Sequence, residues 1–573
     1  MHDGPPRQPP AAAVQGNHWT SLTAGAQEED PSLPRVSIVI PVRTVPRTLP
    51  WVLASLDAQR YPRELLEIVV VGWEGATPPA SLTTPAGTTV ATLPDPDRHV
   101  TSLGAARNRG IAHATGEVLV LLGAQTVAHP GLVDTHARWH RRARDLLVVG
   151  GLHHISPDEL ATDAAPDQDV RALEELEAPP VPWWEQLLEE TEDLTAPGAE
   201  RTRAIIGMNL SVRREHLATL GGFAEPALPL DEPMTAGARS MAAEHPAEPA
   251  SWICEDRELG WRAINEGSLI VPERAARAWT PWPMLHAGEP RPASTAERAW
   301  LAAHVPLEPL RPRRTGRALP LPRALVTVEA AGAEPASVLA TVDAALTGDL
   351  GDVIVLVRTG EDPQGRALRE ILRGEPRALL DDATPPAAPL TVALETPVPM
   401  RHDSLSGLFA DLVTSERAGV LRLTAPLEDA EEAPETTVVA WSRRAVCAAA
   451  RVARDRMRSD QRAPSWEQVL ALAEDLFGGG WESGSERGLG HGERWRPTAA
   501  SERQLGALQR AQQREERLEG RLRKRERRIR RLERELEEAH AQAERAEERL
   551  ARLEGRRVVR ALRRVDRLRR GDA

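Results

Sequence analysis

Apolar residues in the first half of the chain alternate between short unbroken runs and helical spacings. Val36-Ser37-Ile38-Val39-Ile40 predicts a buried strand, ended by Pro41. Leu49, Val52, Leu53 and Leu56 share one face of a helix running to Gln59, and Leu66 to Val71 predicts a second strand. Strand, helix and strand in close succession form a βαβ unit, which predicts a parallel sheet. Further along, Val118 to Leu122 predicts a strand, Leu132 to Arg144 a helix and Leu146 to Val149 another strand. The core pattern returns at Ile205-Ile206-Gly207-Met208-Asn209-Leu210-Ser211-Val212.

Between and beyond these runs the pattern changes. Residues 1–33 are rich in Pro, Ala and polar residues and are expected to be a flexible lead. The Pro- and Arg-rich stretch around 287–321 predicts a linker, placed at 291–321. An α/β pattern then resumes over 322–485. Pro322-Arg323 followed by Ala324 to Val328 parallels Pro34-Arg35 followed by Val36 to Ile40. Val338 to Leu346 matches the helix, Val353 to Val357 the second strand, and Gly419 to Leu423 the Gly116 strand. Trp441-Ser442-Arg443-Arg444 parallels Leu210 to Arg214, and Glu474-Asp475 with Trp481 parallels Glu255-Asp256 with Trp261. Two readings stay open for 322–485, a degraded internal copy or an unrelated α/β domain.

A second linker is placed at 486–504, and a coiled coil at 505–553. One seam position of its heptads holds Leu508, Glu515, Leu522, Ile529, Leu536, Ala543 and Leu550. The other holds Ala511, Leu518, Arg525, Leu532, Ala539, Ala546 and Leu553. This pattern predicts a parallel homodimer; the alternative is a single charged helix held by Glu/Arg pairs. After Gly555, residues 556–570 predict a basic amphipathic helix, with Val558, Ala561, Leu562, Val565 and Leu568 on one face.

Composition bounds this picture. The 573 residues suffice for two or three cores, and an apolar share of 41% is ordinary for a water-soluble fold. No run approaches a membrane span. The start MHDGPPRQPP lacks a basic stretch followed by an apolar core, so no signal peptide is expected. Two cysteines, Cys254 and Cys447, predict no disulfide framework and fit a cytoplasmic location. The net charge of -12 hides an asymmetry: residues 1–500 carry -21 and residues 501–573 carry +9. Such a body is not expected to bind nucleic acid. The tail suits an anionic membrane surface, peripherally on the inner face, or the chain's own acidic body.

Several short motifs, in order, resemble family 2 glycosyltransferases of the GT-A fold. They are Val36 to Val42, Ala106-Arg107-Asn108-Arg109-Gly110, Gly116-Glu117-Val118-Leu119, Asn209 to Arg214, Gly221-Gly222-Phe223, and Glu255-Asp256 with Leu259-Gly260. The resemblance covers residues 34–290. It implies a GT-A-like (nucleotide-diphospho-sugar transferase) α/β domain, a nucleotide-sugar as substrate, and inverting transfer to a hydroxyl acceptor.

The resemblance also assigns residues. Pro41, Val42 and Arg43 at the end of the first strand, and Glu74 after the second, would cradle the nucleotide, with Trp73 stacking on a base or simply packing. Arg107, rather than Arg109, would meet a phosphate. Asp256 is the candidate base, beside Glu255, although the pair also suits a helix N-terminus. The family's Asp-x-Asp is Gly123-Ala124-Gln125 here, leaving Gln125 with a neutral oxygen, and a lone late histidine, His286, does not replace it. The expectation is therefore that no divalent metal takes part. Loss of these carboxylates equally fits a pseudo-glycosyltransferase acting as a binding or scaffold protein.

Overall fold

Strand β1 (Val36–Val42) is buried at every position, so both faces of its sheet are covered, as a run that is apolar but for Ser37 requires. The computed structural model describes residues 9–22, 32–43, 45–72, 88–92, 102–155, 179–226, 252–281, 295–308, 310–311, 319–426, 435–457 and 463–483, with scattered helical positions between 549 and 565. Glu74, Trp73, His286 and nearly all of the expected coiled coil at 505–553 lie outside them.

After β1 come helix α1 (Leu49–Asp57), β2 (Leu66–Gly72), β3 (Thr88–Thr92), α2 (Leu103–His113), β4 (Val118–Leu122) and β5 (Val127–Ala128). Then follow α3 (Leu132–Arg142), β6 (Leu146–His154), α4 (Pro182–Glu190), β7 (Asn209–Arg213), α5 (Arg214–Thr219), α6 (Trp252–Asn265) and β8 (Leu269–Thr280). The sheet order is β3-β2-β1-β4-β7-β6-β8-β5. Ile38 of β1 lies in register with Ile68 of β2 and Val120 of β4, all parallel. The strands expected to run parallel near Ile38, Val70 and Val120 do so, and the sheet beyond them is mixed, because β7 runs antiparallel to both β4 and β6. Periodicity reports burial, not direction, so it could not show this.

Helix α7 (Thr295–His304) leads to the second sheet. Its elements are β9 (Ala324–Glu329), α8 (Pro335–Thr347), β10 (Val353–Arg358), α9 (Pro363–Leu372), β11 (Ala378–Leu380), β12 (Leu390–Leu394), α10 (Ser404–Phe409), β13 (Val420–Pro426), β14 (Glu435–Ser442), α11 (Arg443–Arg456), α12 (Trp466–Phe477) and β15 (Gly479–Ser483). Its order is β11-β10-β9-β12-β14-β13-β15. Strand for strand this repeats the first sheet without β5, with the same parallel or antiparallel relation at each pairing. Two sequence matches shift. Gly419 to Leu423 takes the place of β6, and β12 takes that of the Gly116 strand. Trp481 lies on a strand, whereas Trp261 lies on a helix.

The two sheets belong to one compact unit, residues 1–495. Charged groups join them. Asp145, 1% exposed, accepts from Arg451 Nε at 3.1 Å, and Arg144 pairs with Asp455 at 2.6 Å. Glu416 is held between Arg201 and Arg444, both buried.

The stretch expected to be a flexible lead is docked over residues 9–22. Ala11, Ala12 and Val14 are buried. Asn17 bridges Leu194 O and Ile270 O at 2.8 Å each and accepts from Ile270 N at 2.9 Å. Backbone N–H groups add to this, Ala11 to Asp455 and Ala12 to Asp145. Such anchoring leaves no hydrophobic period to read. The expected linker at 291–321 is corrected likewise. It holds α7, with Glu297 and Leu301 buried, and a fully buried Arg311 that donates to Leu321 O and Ala303 O.

Candidate functional site

Strands β1, β2 and β4 end on the same side of the sheet, where open α/β folds bind ligands. The chain returns to that side three times. Helix α2 starts there, capped by Ser102, which accepts from Ala105 N at 3.2 Å. The turn before β7 lies beside the end of β4, with Gly123 N donating to Met208 O at 3.2 Å. Helix α6 brings Glu255 and Asp256.

Arg107 of α2 and Asp256 of α6 form a buried ion pair, Nη1 to Oδ1 at 2.6 Å. The second carboxylate oxygen of Asp256 accepts from Gly207 N at 2.8 Å. Burial pushes the Asp256 pKa above its ordinary value, against the opposing pull of Arg107 and the Gly207 N–H. The guanidinium also lies over the Phe223 ring, 4.9 Å from its centroid, and its Nε has no hydrogen-bond partner. Gly207 is required by this closeness. A Cβ there would run into the guanidinium and come within 2.8 Å of Asp256 Oδ1.

Glu255 is fully buried near the N-terminal turn of α2. Burial pushes its pKa up to about 8, although Arg107, Gly104 N–H and Ser102 pull the other way. At neutral pH it therefore holds its proton. A neutral carboxyl here avoids placing a second buried anion beside Asp256.

Asn108 makes no contact that the motif reading anticipated. Its side chain clamps the Gly-Gly-Phe turn, donating to Phe223 O and accepting from Phe223 N, each at 2.9 Å, and donating to Glu225 Oε1 at 2.8 Å. Gly222 has φ +77°, which suits glycine. The Arg107-Asn108 and Gly221-Gly222-Phe223 motifs thus form one contact surface. Their co-occurrence was the available signal for Asn108 and Phe223; Gly207 carried none, since its neighbours read only as core.

The other expected residues are more scattered. Pro41 and Val42 are buried at the end of β1, in register with Val71 and Gly72, and Arg43 follows them half-buried. Gln125 is half-buried in the turn after β4, where Thr126 N donates to Gly123 O. Arg109 is exposed. Asn209 and Ser211 face the core, bonded to His136 and His140.

No family model matches the chain, and no curated protein matches it. Among solved structures it is similar in part to the mannosyltransferase PcManGT from Pyrobaculum calidifontis in complex with GDP-Man and Mn2+, at 16% identity and TM-score 0.25, over 50% of this chain and 67% of that one. It is also similar to residues 1-349 of S. aureus TarS with UDP-GlcNAc, at 13% identity and TM-score 0.28, over 43% and 58% of the two chains. GalNAc-T7 with UDP, GalNAc and Mn2+ gives 17% identity and TM-score 0.29, over 49% and 55%. Scores of this size fall short of establishing a shared fold.

Against the expectation that no divalent metal takes part, two of these complexes hold Mn2+. In this chain the turn after β4 offers Gln125 and Thr126 as side-chain oxygen donors. Among the described residues no three His, Cys, Asp or Glu side chains converge. Hard cations prefer carboxylates, so the described donors do not by themselves complete such a site.

Proposed function

We propose that the chain is a glycosyltransferase-like protein. It takes a nucleotide-sugar in the crevice beyond the carboxyl ends of β1, β2 and β4 and passes the sugar, with inversion, to a hydroxyl acceptor. The observation that carries this reading is the convergence of Arg107, Asn108, Gly207, Phe223 and Asp256 at that end of the sheet. They come from separate stretches, most of which resemble a single family. In this reading donor phosphates draw Arg107 away from Asp256, since guanidinium suits phosphate oxygens. The freed carboxylate then takes the acceptor's proton. Residues 34–290 are the transferase-like lobe. The matching strand order supports reading 322–485 as a second copy of its fold.

One observation favours a second reading. Asp256 is fully buried with both oxygens engaged, whereas a base must reach its substrate's hydroxyl. A pair that never opens would make this lobe a binding scaffold, its output carried by dimerisation through 505–553.

One experiment separates the two. GDP- and UDP-sugars are titrated with Mn2+ present, following thermal stabilisation and release of free nucleotide on adding hydroxyl acceptors. Stabilisation with release supports transfer, and stabilisation without release supports the scaffold. No stabilisation by any nucleotide-sugar overturns both.

A further inference from the structure

The C-terminal unit, residues 496–573, ends in a segment with a two-faced surface. Leu562 is 61% exposed, Val558 56%, Val565 54% and Val559 49%, all at helical positions. At about 100° per residue, Val558, Leu562 and Val565 fall within an arc of roughly 60°, with Val559 about 60° beyond its edge. Arg556, Arg560, Arg563 and Arg564, also exposed, fall on the far side. The sequence extends both faces, Ala561 and Leu568 on the apolar one, Arg557, Arg567 and Arg570 on the basic one. Arg569 is the exception, and Asp566 is the single acid between 556 and 570.

This face is not the coiled-coil seam continued. Heptad spacing carried past Leu550 and Leu553 arrives at Arg557, Arg560, Arg564 and Arg567. A second copy zipped in register would bury four arginines per chain and leave the valines and leucine outside. The apolar residues are displaced by one position, about 100° around the helix. Nor does the sequence of 556–570 read as a membrane span, since eight arginines interrupt its apolar residues.

We propose that this helix docks flat on an anionic lipid surface. Val558, Leu562 and Val565 enter the boundary between headgroups and acyl chains, and the arginines of the opposite face are drawn to the negative charge of the surface. Charge complementarity selects this occupant. Eight arginines against one aspartate suit a surface of fixed negative charge, while exposed branched apolar side chains gain nothing from a purely polyanionic partner.

The test is co-sedimentation of the full chain with phosphatidylcholine vesicles, with and without a minority of phosphatidylserine. Leu562→Gln/Val565→Gln, Arg560→Gln/Arg563→Gln/Arg564→Gln and a chain ending at Glu554 are compared. Circular dichroism and light scattering follow each. The full chain is expected to pellet only with phosphatidylserine, less in high salt, and each variant to lose about tenfold. Four outcomes would overturn the proposal. They are equal pelleting of the parent and the chain ending at Glu554, no pelleting of the parent, and loss only in the arginine variant, which marks a phosphate or nucleic-acid contact. The fourth is a lower oligomeric state for Leu562→Gln/Val565→Gln, which marks a second copy.

Discussion

Arg107 and Asp256 lie 149 residues apart in the chain and meet at 2.6 Å, with 2% and 1% of their side chains exposed. A buried pair of this kind is costly to break from one side, because the remaining charge stays desolvated. Arg107→Met and Asp256→Asn are each expected to cost about 3 kcal/mol, and the double variant clearly less than their sum. Urea unfolding of all four proteins measures the coupling. Strict additivity would mean that the two groups do not depend on each other.

Gly207→Ala places a methyl group against both members of that pair, so it is expected to cost about 2–4 kcal/mol. Gly374→Ala, with nothing within 4 Å of its added methyl, is expected to be neutral. Thermal melts of the two variants check this, and similar shifts for both would remove the role assigned to Gly207.

Stability should fall in acid for a specific reason. His136 and His216 are buried and hydrogen-bonded, and burial lowers their pKa values to about 4 and about 3; His140 is lowered in the same direction. An unfolded chain takes up these protons near 6.5, the ordinary value, before the folded one does. The stabilisation is thus complete above pH 6.5 and lost progressively as pH falls toward 3–4. Urea midpoints measured from pH 7 down to pH 4 should decline. A midpoint that does not fall below pH 6 would contradict the burial of these rings.

Glu255 acts with the opposite sign. Its pKa of about 8 in the fold exceeds the ordinary 4.5, so it favours folding below 4.5 and opposes it increasingly as pH rises to 8. Glu255→Gln should therefore gain stability over the parent between pH 5 and pH 8.5, by a few kcal/mol, and level off beyond. A constant difference across that range would show that the carboxyl ionises normally.

Glu416 is the counter-ion of two buried arginines, Arg201 and Arg444, between the two sheets. Burial, with Arg444 adding to it, already lowers the Arg201 pKa to about 10. Glu416→Gln leaves both cations without their carboxylate and is expected to cost about 3–5 kcal/mol. Calorimetry should show melting of the parent splitting or moving down in the variant; an unchanged melt would deny the triad its part in joining the sheets.

The sequence alone determined the local pieces. Apolar runs at Val36–Ile40, Leu66–Val71 and Val118–Leu122, interrupted only by Ser37 and Glu67, read as buried strands, since apolar residues so placed on both faces must be covered. The strand order that 322–485 shares with the first sheet was legible in part, through Ala324 to Val328 and Trp441 to Arg444. Its strand assignment slipped at Gly419, because hydrophobic periodicity carries no information on direction or neighbour. Tertiary structure alone decided which polar residues meet. Arg107 and Asp256 were each read from a motif as facing a substrate, and packing made them partners of each other. It also decided that residues 9–22, with little pattern, are held by Asn17 and by backbone donors to Asp145 and Asp455. Hydrophobic burial is nearly indifferent to partner and so shows in one-dimensional spacing. A buried charge or N–H needs a particular group within about 3 Å, and only the folded chain supplies it.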